Sequence, residues 1–372
     1  MSPKILALIA MAIVLSVGGA IFVYGSLGGT ADTSSDGSNA TSVTDEDDSE
    51  DDDSGTWKDS GVDVVVDAAS GLTLTYVSGT EQCYTITQNT STNEYTVTFS
   101  GITEDTIYMI SGTLTGNIVI NVSEDYDFKL GLNGVTIASS YSAPISCTSG
   151  NNFVLAAIEG TENTVTDNRA EQTSADAINS SIYSVCDLKI QGSGELTLVS
   201  ENNNGIHTKG DLRVRNLTLT VTCVDNALKG NDSVSIKSGT INLTAESGDG
   251  IVTTSTDLNS NGVQRGTVTI NSNKGDTVLV INSYCDGIDA AYDVIIEETE
   301  GNSVSVSIKT YTGASTSSSN RTTPGWGGNS RGGSWSQAGP DSNQSASVSF
   351  SCKGIKADNS VNINNGTVTV NA

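Results

Sequence analysis

Asn204-Gly205-Ile206 is the first clear copy of a three-residue phrase that sets the architecture of this chain: a polar residue, a very small residue and an aliphatic residue. Further copies are Asn226-Ala227-Leu228, Asp249-Gly250-Ile251, Asp286-Gly287-Ile288 and Lys353-Gly354-Ile355, and weaker ones precede at Ala143-Pro144-Ile145 and Ser180-Ser181-Ile182. The most regular steps are 24, 22 and 23 residues, and the next two, of 37 and 67 residues, are one period lengthened by an insertion. A period of about 22 residues is typical of a solenoid, in which each turn buries its apolar side only against its neighbours.

Each copy of the phrase is followed by a short turn and two segments that alternate between apolar and polar residues. After Asn226 these segments are Val234-Ser235-Ile236 and Ile241-Asn242-Leu243, separated by a turn that contains Gly239. Such alternation, rich in Val, Ile and Thr, indicates half-buried strands. Two strands and a tight corner in ~22 residues predict an all-β fold, a single-stranded parallel β-helix. A β-propeller is the competing repeat fold, but it needs four strands and ~40–45 residues per unit.

The small residue of the phrase predicts a sharp corner of the coil. Coils of a β-helix are expected ~4.8 Å apart, the spacing of neighbouring strands. A larger side chain before each aliphatic residue would therefore crowd the next coil. The aliphatic residues are expected to point inward, and Thr, Ser, Asn and Lys to point outward.

The N-terminal segment predicts export. An uncharged apolar run extends from Ile5 to Tyr24, and its 20 residues are enough to span a bilayer. We expect residues 1–24 to form an uncleaved membrane anchor; a cleaved signal peptide is the alternative, because Gly29-Thr30-Ala31 offers small residues for cleavage. In both cases the rest of the chain is expected to be extracellular, at the cell surface.

The rest of the chain divides by composition into a linker and a folded domain. Residues 25–59 are rich in Ser, Thr, Gly and Asp, with eight acidic residues from Asp45 to Asp53, and we expect a disordered acidic stalk. Residues 60–372 are expected to form the β-helix, of which residues 60–155 are the N-terminal cap and the first irregular coils.

A Gly/Ser-rich insertion at residues 313–346 is expected to be a surface loop. It contains Trp326 and Trp335, two of the three tryptophans. An exposed indole ring can stack on the apolar face of a sugar ring, so these two residues are candidates for carbohydrate binding.

The net negative charge and the stacking of acidic residues in successive coils predict a bound cation. A formal charge of −26 argues against a nucleic-acid partner, which a basic protein would bind, and favours cations. Equivalent positions of a β-helix stack, so an acidic ladder is expected, with neighbours that extend it. Its members are Asp225, Asn226, Asp249 and Asp286, joined by Asn204, Asp289 and, from the following insertion, Asp257. Two carboxylates ~5 Å apart repel by about 3 kcal/mol at an effective dielectric of roughly 20, which a Ca²⁺ ion with its oxygen ligands would relieve. The alternative is a solvated acidic edge.

Histidine and cysteine usage bears on metals and disulfides. The chain has one histidine, His207, and no Cys-x-x-Cys pair, which argues against zinc. It has six cysteines, and in an exported chain disulfides are allowed. Cys285 and Cys352 precede the polar residue in successive copies of the phrase, so they either pair or stack as small buried residues.

The order of several segments resembles a known family. The segments 111–116 (SGTLTG), 132–137 (LNGVTI) and 159–164 (EGTENT) come first, the repeated phrase follows, and the Gly/Ser/Trp-rich insertion precedes the last coil. From about residue 70 to its end, the chain resembles the carbohydrate-binding domain-containing proteins of bacterial and archaeal surfaces.

This resemblance implies a right-handed parallel β-helix similar to polysaccharide lyases, with bound calcium. It also implies binding of acidic plant polysaccharide (pectin, polygalacturonate) and cellulose without known catalysis. The acids of the family's phrase match Asp249 and Asp286, and its acidic pair matches Asp225-Asn226. The match is weaker at Asn204 and fails at Lys353, where a base replaces the acid.

Three functional classes remain open from the residues. In the binding class, Lys209, Arg213 and Lys229 would contact uronate carboxylates along the coil face. In the lyase class, one of these residues or Arg215 would remove the proton next to a uronate carboxylate, with Ca²⁺ as the acidifying ion; a hydrolase would need paired acids on one face. In the third class, the solenoid is a structural adhesin that binds protein. We expect no catalysis, because the candidate residues lie in the repeat itself and not in a cleft of long loops.

Overall fold

The computed structural model describes residues 62–66 (backbone only), 71–174, 177–311 and 352–372. These residues form 27 β-strands and belong to one compact unit, Asp53–Ala372. The described ranges contain no helix that is long and apolar enough to cross a membrane. The predicted anchor, the acidic linker and the 313–346 insertion with Trp326 and Trp335 lie outside the described residues.

From β5 (Thr106–Asn121) onward, the chain winds as a solenoid whose coils contribute strands to three parallel ladders. Ladder I contains the first parts of β5 and β6 (Phe128–Ser139), then β8 (Asn152–Ala157), β11 (Asp187–Gly192), β14 (Asp211–Val214), β17 (Ser233–Ile236), β20 (Thr267–Ile270), β23 (Asp293–Ile296) and β26 (Ser360–Ile363). Ladder II contains the next parts of β5 and β6, then β9 (Glu162–Asp167), β12 (Glu195–Ser200), β15 (Thr218–Cys223), β18 (Gly239–Ala245), β21 (Thr277–Ser283), β24 (Val304–Thr310) and β27 (Thr367–Asn371). Ladder III contains the end of β5, then β7 (Ile145–Ser149), β10 (Ser180–Ser184), β13 (Asn204–Thr208), β16 (Leu228–Gly230), β19 (Ile251–Thr253), β22 (Ile288–Ala290) and β25 (Ile355–Ala357).

Each regular coil has three strands and not the two that the sequence predicted. The additional strand is the phrase itself, since its aliphatic residues pair coil on coil: Ile206 with Leu228, Leu228 with Ile251, and Ile251 with Ile288. The last four strands of ladder III have only three residues each, which is too short for a period of two to stand out in the sequence. The all-β, parallel solenoid is otherwise as predicted.

The core is a column of stacked aliphatic side chains. The inward residues of ladder III, such as Ile206, Leu228 and Ile288, are fully buried. The small residue of the phrase makes this stacking possible, as predicted. A Cβ atom at Gly250 would lie only 2.5 Å from the backbone oxygen of Gly287 in the next coil.

Antiparallel strands precede the solenoid. They are β1 (Val62–Val66), β2 (Leu72–Ser78), β3 (Tyr84–Asn89) and β4 (Glu94–Ser100). Strand β2 pairs antiparallel with β1 and β5, and β3 pairs antiparallel with β4. Strand β4 also pairs parallel with the end of β5 and so extends ladder III by one strand. Phe99, Tyr108 and Phe128 fill this end of the core, with ring centroids 5.1 Å and 4.8 Å apart in the two contacts of Phe99. An aromatic cluster from β4, β5 and β6 thus fills the core of the first coils.

Candidate functional site

The polar residues of the phrase stack at the corner between ladders II and III, and we call Asn204, Asn226, Asp249 and Asp286 the corner ladder. The Oδ1 atom of each accepts a hydrogen bond from the backbone N–H of the next copy. The donors are Asn226 at 3.1 Å, Asp249 at 2.9 Å, Asp286 at 2.8 Å and Lys353 at 2.6 Å. A buried backbone N–H without an acceptor is costly, so these side chains satisfy the corner of every following coil.

The two carboxylates of the corner ladder, unlike its two amides, can carry a negative charge. Burial raises the pKa of Asp249 to about 6, with smaller contributions from the charges of Asp289 and Asp286, while hydrogen bonds from the Asp286 backbone and the Cys285 thiol oppose the rise. At neutral pH the side chain is therefore ionised at a cost in free energy. A cation next to Asp249 and Asp286 would reduce that cost.

The other residues of the predicted cation site are occupied or distant. Both oxygens of Asp289 accept hydrogen bonds of 2.8 Å from the ammonium group of Lys356. Asp225 accepts a 3.2 Å hydrogen bond from the side-chain amide of Asn226. Asp257 lies in the connection between β19 and β20, beyond ladder III. Burial raises the pKa of Asp232, and the charge of Asp257 adds a small contribution to that rise.

A complete calcium shell is not present among these side chains. In the described part of the chain, no group of three or more His, Cys, Asp or Glu residues converges to hold a metal ion. Calcium takes six to eight oxygens, so an ion at Asp249 and Asp286 would need backbone and water oxygens as well. Calcium binding stays a prediction at this pair.

The structure does not bring the three predicted basic residues to one face. Lys229 lies on β16 in ladder III, whereas Arg213 lies on β14 in ladder I. The Arg213 guanidinium group is 3.4 Å from Asp211 and 4.0 Å from Asp187. Lys209 is exposed in the turn between those two faces.

A histidine is buried on the outer row of ladder III. His207 contacts Tyr183 edge to face, with ring centroids 5.6 Å apart. Burial, together with the charges of Lys229 and Lys209, lowers its pKa to about 4, so the ring is neutral at pH 7. With Nε2 3.1 Å from Asn231 Oδ1, the Nε2–H tautomer is favoured, and Nδ1 is buried without a partner in the described structure.

A pair of stacked tyrosines lies on the surface at the same corner as the corner ladder. Tyr284 follows β21 and Tyr311 follows β24, at equivalent positions of consecutive coils. Their rings stack with centroids 4.8 Å apart and an interplanar angle of 19°. Tyr284 is 47% exposed, and Lys309 Nζ lies 4.5 Å from the centroid of the Tyr311 ring.

These tyrosines line a surface cavity of about 650 Å³ together with Thr244, Glu246 and Asn282. We call the five lining residues the tyrosine platform. It combines flat apolar rings with a hydroxyl, a carboxylate and an amide, the groups that hold a polyhydroxylated ring by stacking and hydrogen bonding. The sequence reasoning missed it, although an aromatic residue directly after the ladder II strand in two successive coils is the signal that would have found it.

Comparisons with known proteins point to one family. The family model for carbohydrate-binding domain-containing proteins matches residues 91–372. A protein of that description from Acetivibrio thermocellus is 35% identical over 124 residues, which cover 32% of this chain and 43% of that protein; the match thus spans less than half of the relative's length. A solved polysaccharide lyase-like protein from C. thermocellum, a gadolinium derivative, aligns with a TM-score of 0.56 and 25% identity over 79% of this chain and 94% of that chain.

Proposed function

The chain belongs to the carbohydrate-binding domain-containing protein family, and on that premise we propose that it binds polysaccharide without cleaving it. The observation that supports this most directly is the tyrosine platform. Its cavity of about 650 Å³ lies in the range of ~300–1,000 Å³ that is usual for ligand pockets. It is open to the surface, so a long polymer can lie across it.

The residues of the platform and the neighbouring Lys309 offer different kinds of contact to a sugar. The exposed Tyr284 ring offers a flat apolar surface to a sugar ring. Glu246 and Asn282 line the same cavity and supply hydrogen-bond groups for hydroxyls. Lys309, next to Tyr311, supplies a positive charge for an acidic sugar.

The finer parts of the proposal come from the family resemblance. We propose acidic plant polysaccharide such as polygalacturonate, or cellulose, as the ligand, with Ca²⁺ at Asp249 and Asp286 as a cofactor. Attachment to the membrane through residues 5–24, a cell-surface location and right-handed winding of the coils belong to the same proposal. Lys209 and Lys229 remain candidate contacts for uronate groups outside the platform.

Catalysis is the second candidate, because the solved neighbour is described as polysaccharide lyase-like. Two observations favour binding over chemistry. Asp249 and Asp286, which a hydrolase would use as paired acids, already accept backbone hydrogen bonds from the following coil. Arg213, a candidate lyase base, is held by Asp211 and Asp187.

The test is calorimetric titration of the full-length protein in detergent with polygalacturonate, with Ca²⁺ and again after chelation, and a parallel assay of retention on cellulose. Tyr284→Ala is expected to weaken binding about tenfold, which corresponds to about 1.4 kcal/mol of lost stacking. Tyr141→Ala is the matched control, since Tyr141 is 65% exposed but is not part of the platform.

Each result separates the candidates. Binding that is lost in Tyr284→Ala and kept in Tyr141→Ala, without an unsaturated product that absorbs in the ultraviolet, supports the binder. Release of such a product supports the lyase. Binding that is the same in both variants refutes the platform, and no binding of either polysaccharide favours the protein-binding adhesin.

A further inference from the structure

Two thiols from neighbouring coils lie in contact next to ladder III. The sulfur atoms of Cys147, on β7, and Cys186, two residues after β10, are 3.7 Å apart, although the residues are 39 positions apart in sequence. Strands β7 and β10 pair with Ser184 opposite Cys147, and the Val185 N–H donates a 3.0 Å hydrogen bond to the Cys147 carbonyl oxygen. The contact therefore follows from coil stacking and does not depend on a local turn.

The surroundings leave room for both sulfurs. A Cβ atom on Gly150 would lie 3.5 Å from the Cys147 sulfur and 3.8 Å from the Cys186 sulfur, so this glycine borders the two thiols without crowding them. The Ser184 hydroxyl lies 3.4 Å from the Cys186 sulfur. Cys147 is buried whereas Cys186 is partly exposed, so a reagent from solvent reaches Cys186 first.

The more exposed thiol, Cys186, is also the more acidic one. The hydrogen bond with Cys147 lowers the pKa of Cys186, against the opposing effect of burial. The same hydrogen bond, together with burial, raises the pKa of Cys147. Cys186, the more exposed of the two and the one whose pKa is lowered, is therefore the thiol that ionises more readily and the better nucleophile.

We propose that Cys147 and Cys186 form a disulfide bond between adjacent coils when the protein meets a low-molecular-weight disulfide. The Cys186 thiolate attacks one sulfur of that disulfide, whose S–S bond breaks and releases one small thiol. The Cys147 thiol loses its proton and attacks the Cys186 sulfur, which releases the second small thiol. Two protein thiols are oxidised to one disulfide, and one small disulfide is reduced to two thiols.

The bond would change how two coils are held together. To form the bond, the sulfurs must approach from 3.7 Å to about 2.05 Å, the length of a disulfide bond. The bridge would tie the coil of β7–β9 to the coil of β10–β12 across the connection between β9 and β10. Closing a loop of this length restricts the unfolded chain, so the oxidised protein is expected to be the more stable form.

The test is oxidation of the full-length protein in buffers with increasing ratios of oxidised to reduced glutathione, followed by alkylation and peptide mass spectrometry. A peptide that joins Cys147 to Cys186 is expected, and the oxidised protein is expected to unfold ~5 °C above the reduced one. Cys186→Ser must remove both effects. Cys223→Ser is the control that keeps them, because the Cys223 sulfur contacts backbone oxygens of Asp225 and Thr244.

Two outcomes overturn the proposal. One is recovery of Cys147 and Cys186 as alkylated thiols at every glutathione ratio. The other is a joined peptide that involves a different pair, such as Cys285 and Cys352, with no Cys147–Cys186 link. Peptide mapping of the wild-type chain decides between these outcomes and the expected one even if Cys186→Ser folds poorly.

Discussion

Asp249→Asn is expected to make the protein more stable at pH 8 in the absence of divalent cations. The wild-type carboxylate accepts the 2.8 Å hydrogen bond from the Asp286 N–H through Oδ1, and asparagine keeps that oxygen. What the substitution removes is a charge that burial and neighbouring carboxylates disfavour, as the raised pKa of about 6 indicates. The substitution therefore separates the charge of the corner ladder from its hydrogen bonds.

The size of the effect follows from the pKa difference between the folded and unfolded chain. The folded value of about 6 lies above the ordinary 3.8, so the folded state binds the proton more tightly. The contribution of this group is most favourable below the unfolded pKa and is lost as the pH rises through 6. The difference corresponds to at most about 3 kcal/mol, and because Asp249 is only partly buried, solvent screening reduces our expectation to ~1–2 kcal/mol.

The assay is urea unfolding followed by far-ultraviolet circular dichroism at pH 4 and pH 8, with a chelator and then with Ca²⁺. The expected gain of Asp249→Asn is present at pH 8 and nearly absent at pH 4. Asn226→Asp is the matched converse, since Asn226 occupies the equivalent position and should lose stability at pH 8. A loss of stability in Asp249→Asn at pH 8 with chelator, or a difference that does not change with pH, refutes the reasoning.

The calcium arm tests the cofactor prediction with the same two proteins. If Ca²⁺ binds at Asp249 and Asp286, it raises the stability of the wild type and not of Asp249→Asn. If Ca²⁺ changes the free energy of unfolding of the two proteins by the same amount, there is no calcium site at this pair. The hydrogen-bonding role of Asp249 and Asp286 is unaffected by that result.

Two further predictions concern the coil corner and the buried histidine. Gly250→Ala is expected to lower the free energy of unfolding by about 2 kcal/mol or more in urea titrations, since its Cβ would meet the Gly287 backbone oxygen at 2.5 Å. Gly262→Ala is the control for a purely conformational cost, because Gly262 has a positive φ but no atom within 4 Å of the added Cβ. Equal losses of stability in the two variants would contradict crowding at Gly250. Because burial lowers the His207 pKa from 6.5 to about 4, the protein is expected to lose up to about 3 kcal/mol as the pH falls between those values; a His207→Gln variant with the same pH dependence would contradict this assignment.

Much of the fold could be predicted because a solenoid repeats its physical constraints. The phrase marked the corner of every coil, and the alternating segments marked ladders I and II, so coil length, inward residues and the need for a small residue followed from the sequence. The family expected from the order of motifs such as 111–116 and 132–137 is confirmed by the family model. Strands of ladder III were missed, because three residues such as Ile288–Ala290 carry no periodicity.

The functional surface could be predicted only in part. Equivalent residues of the phrase are neighbours in space, so the stacking of Asp249 on Asp286 was foreseeable. The tyrosine platform was missed, because the 313–346 insertion separates Tyr311 from its own copy of the phrase at Lys353, whereas Tyr284 lies two residues before its copy at Asp286. Only a comparison of the residues that follow successive ladder II strands aligns the two tyrosines. Arg213 was grouped with Lys229 by sequence distance, but one turn of the coil places them on different ladders.

The lysine that breaks the acidic pattern of the phrase has a structural explanation. Every corner-ladder side chain serves the coil that follows it, so each needs an acceptor oxygen, which Asn and Asp both have. The Lys353 backbone N–H donates a hydrogen bond to Asp286 Oδ1, and any residue except proline supplies such a donor. This contact therefore sets no requirement on the Lys353 side chain. Hydrogen bonding thus accounts for the polar residue at each position but not for the charge of Asp249 and Asp286, since asparagine offers the same acceptor oxygen. That excess charge is the specific reason to test these two positions for a cation.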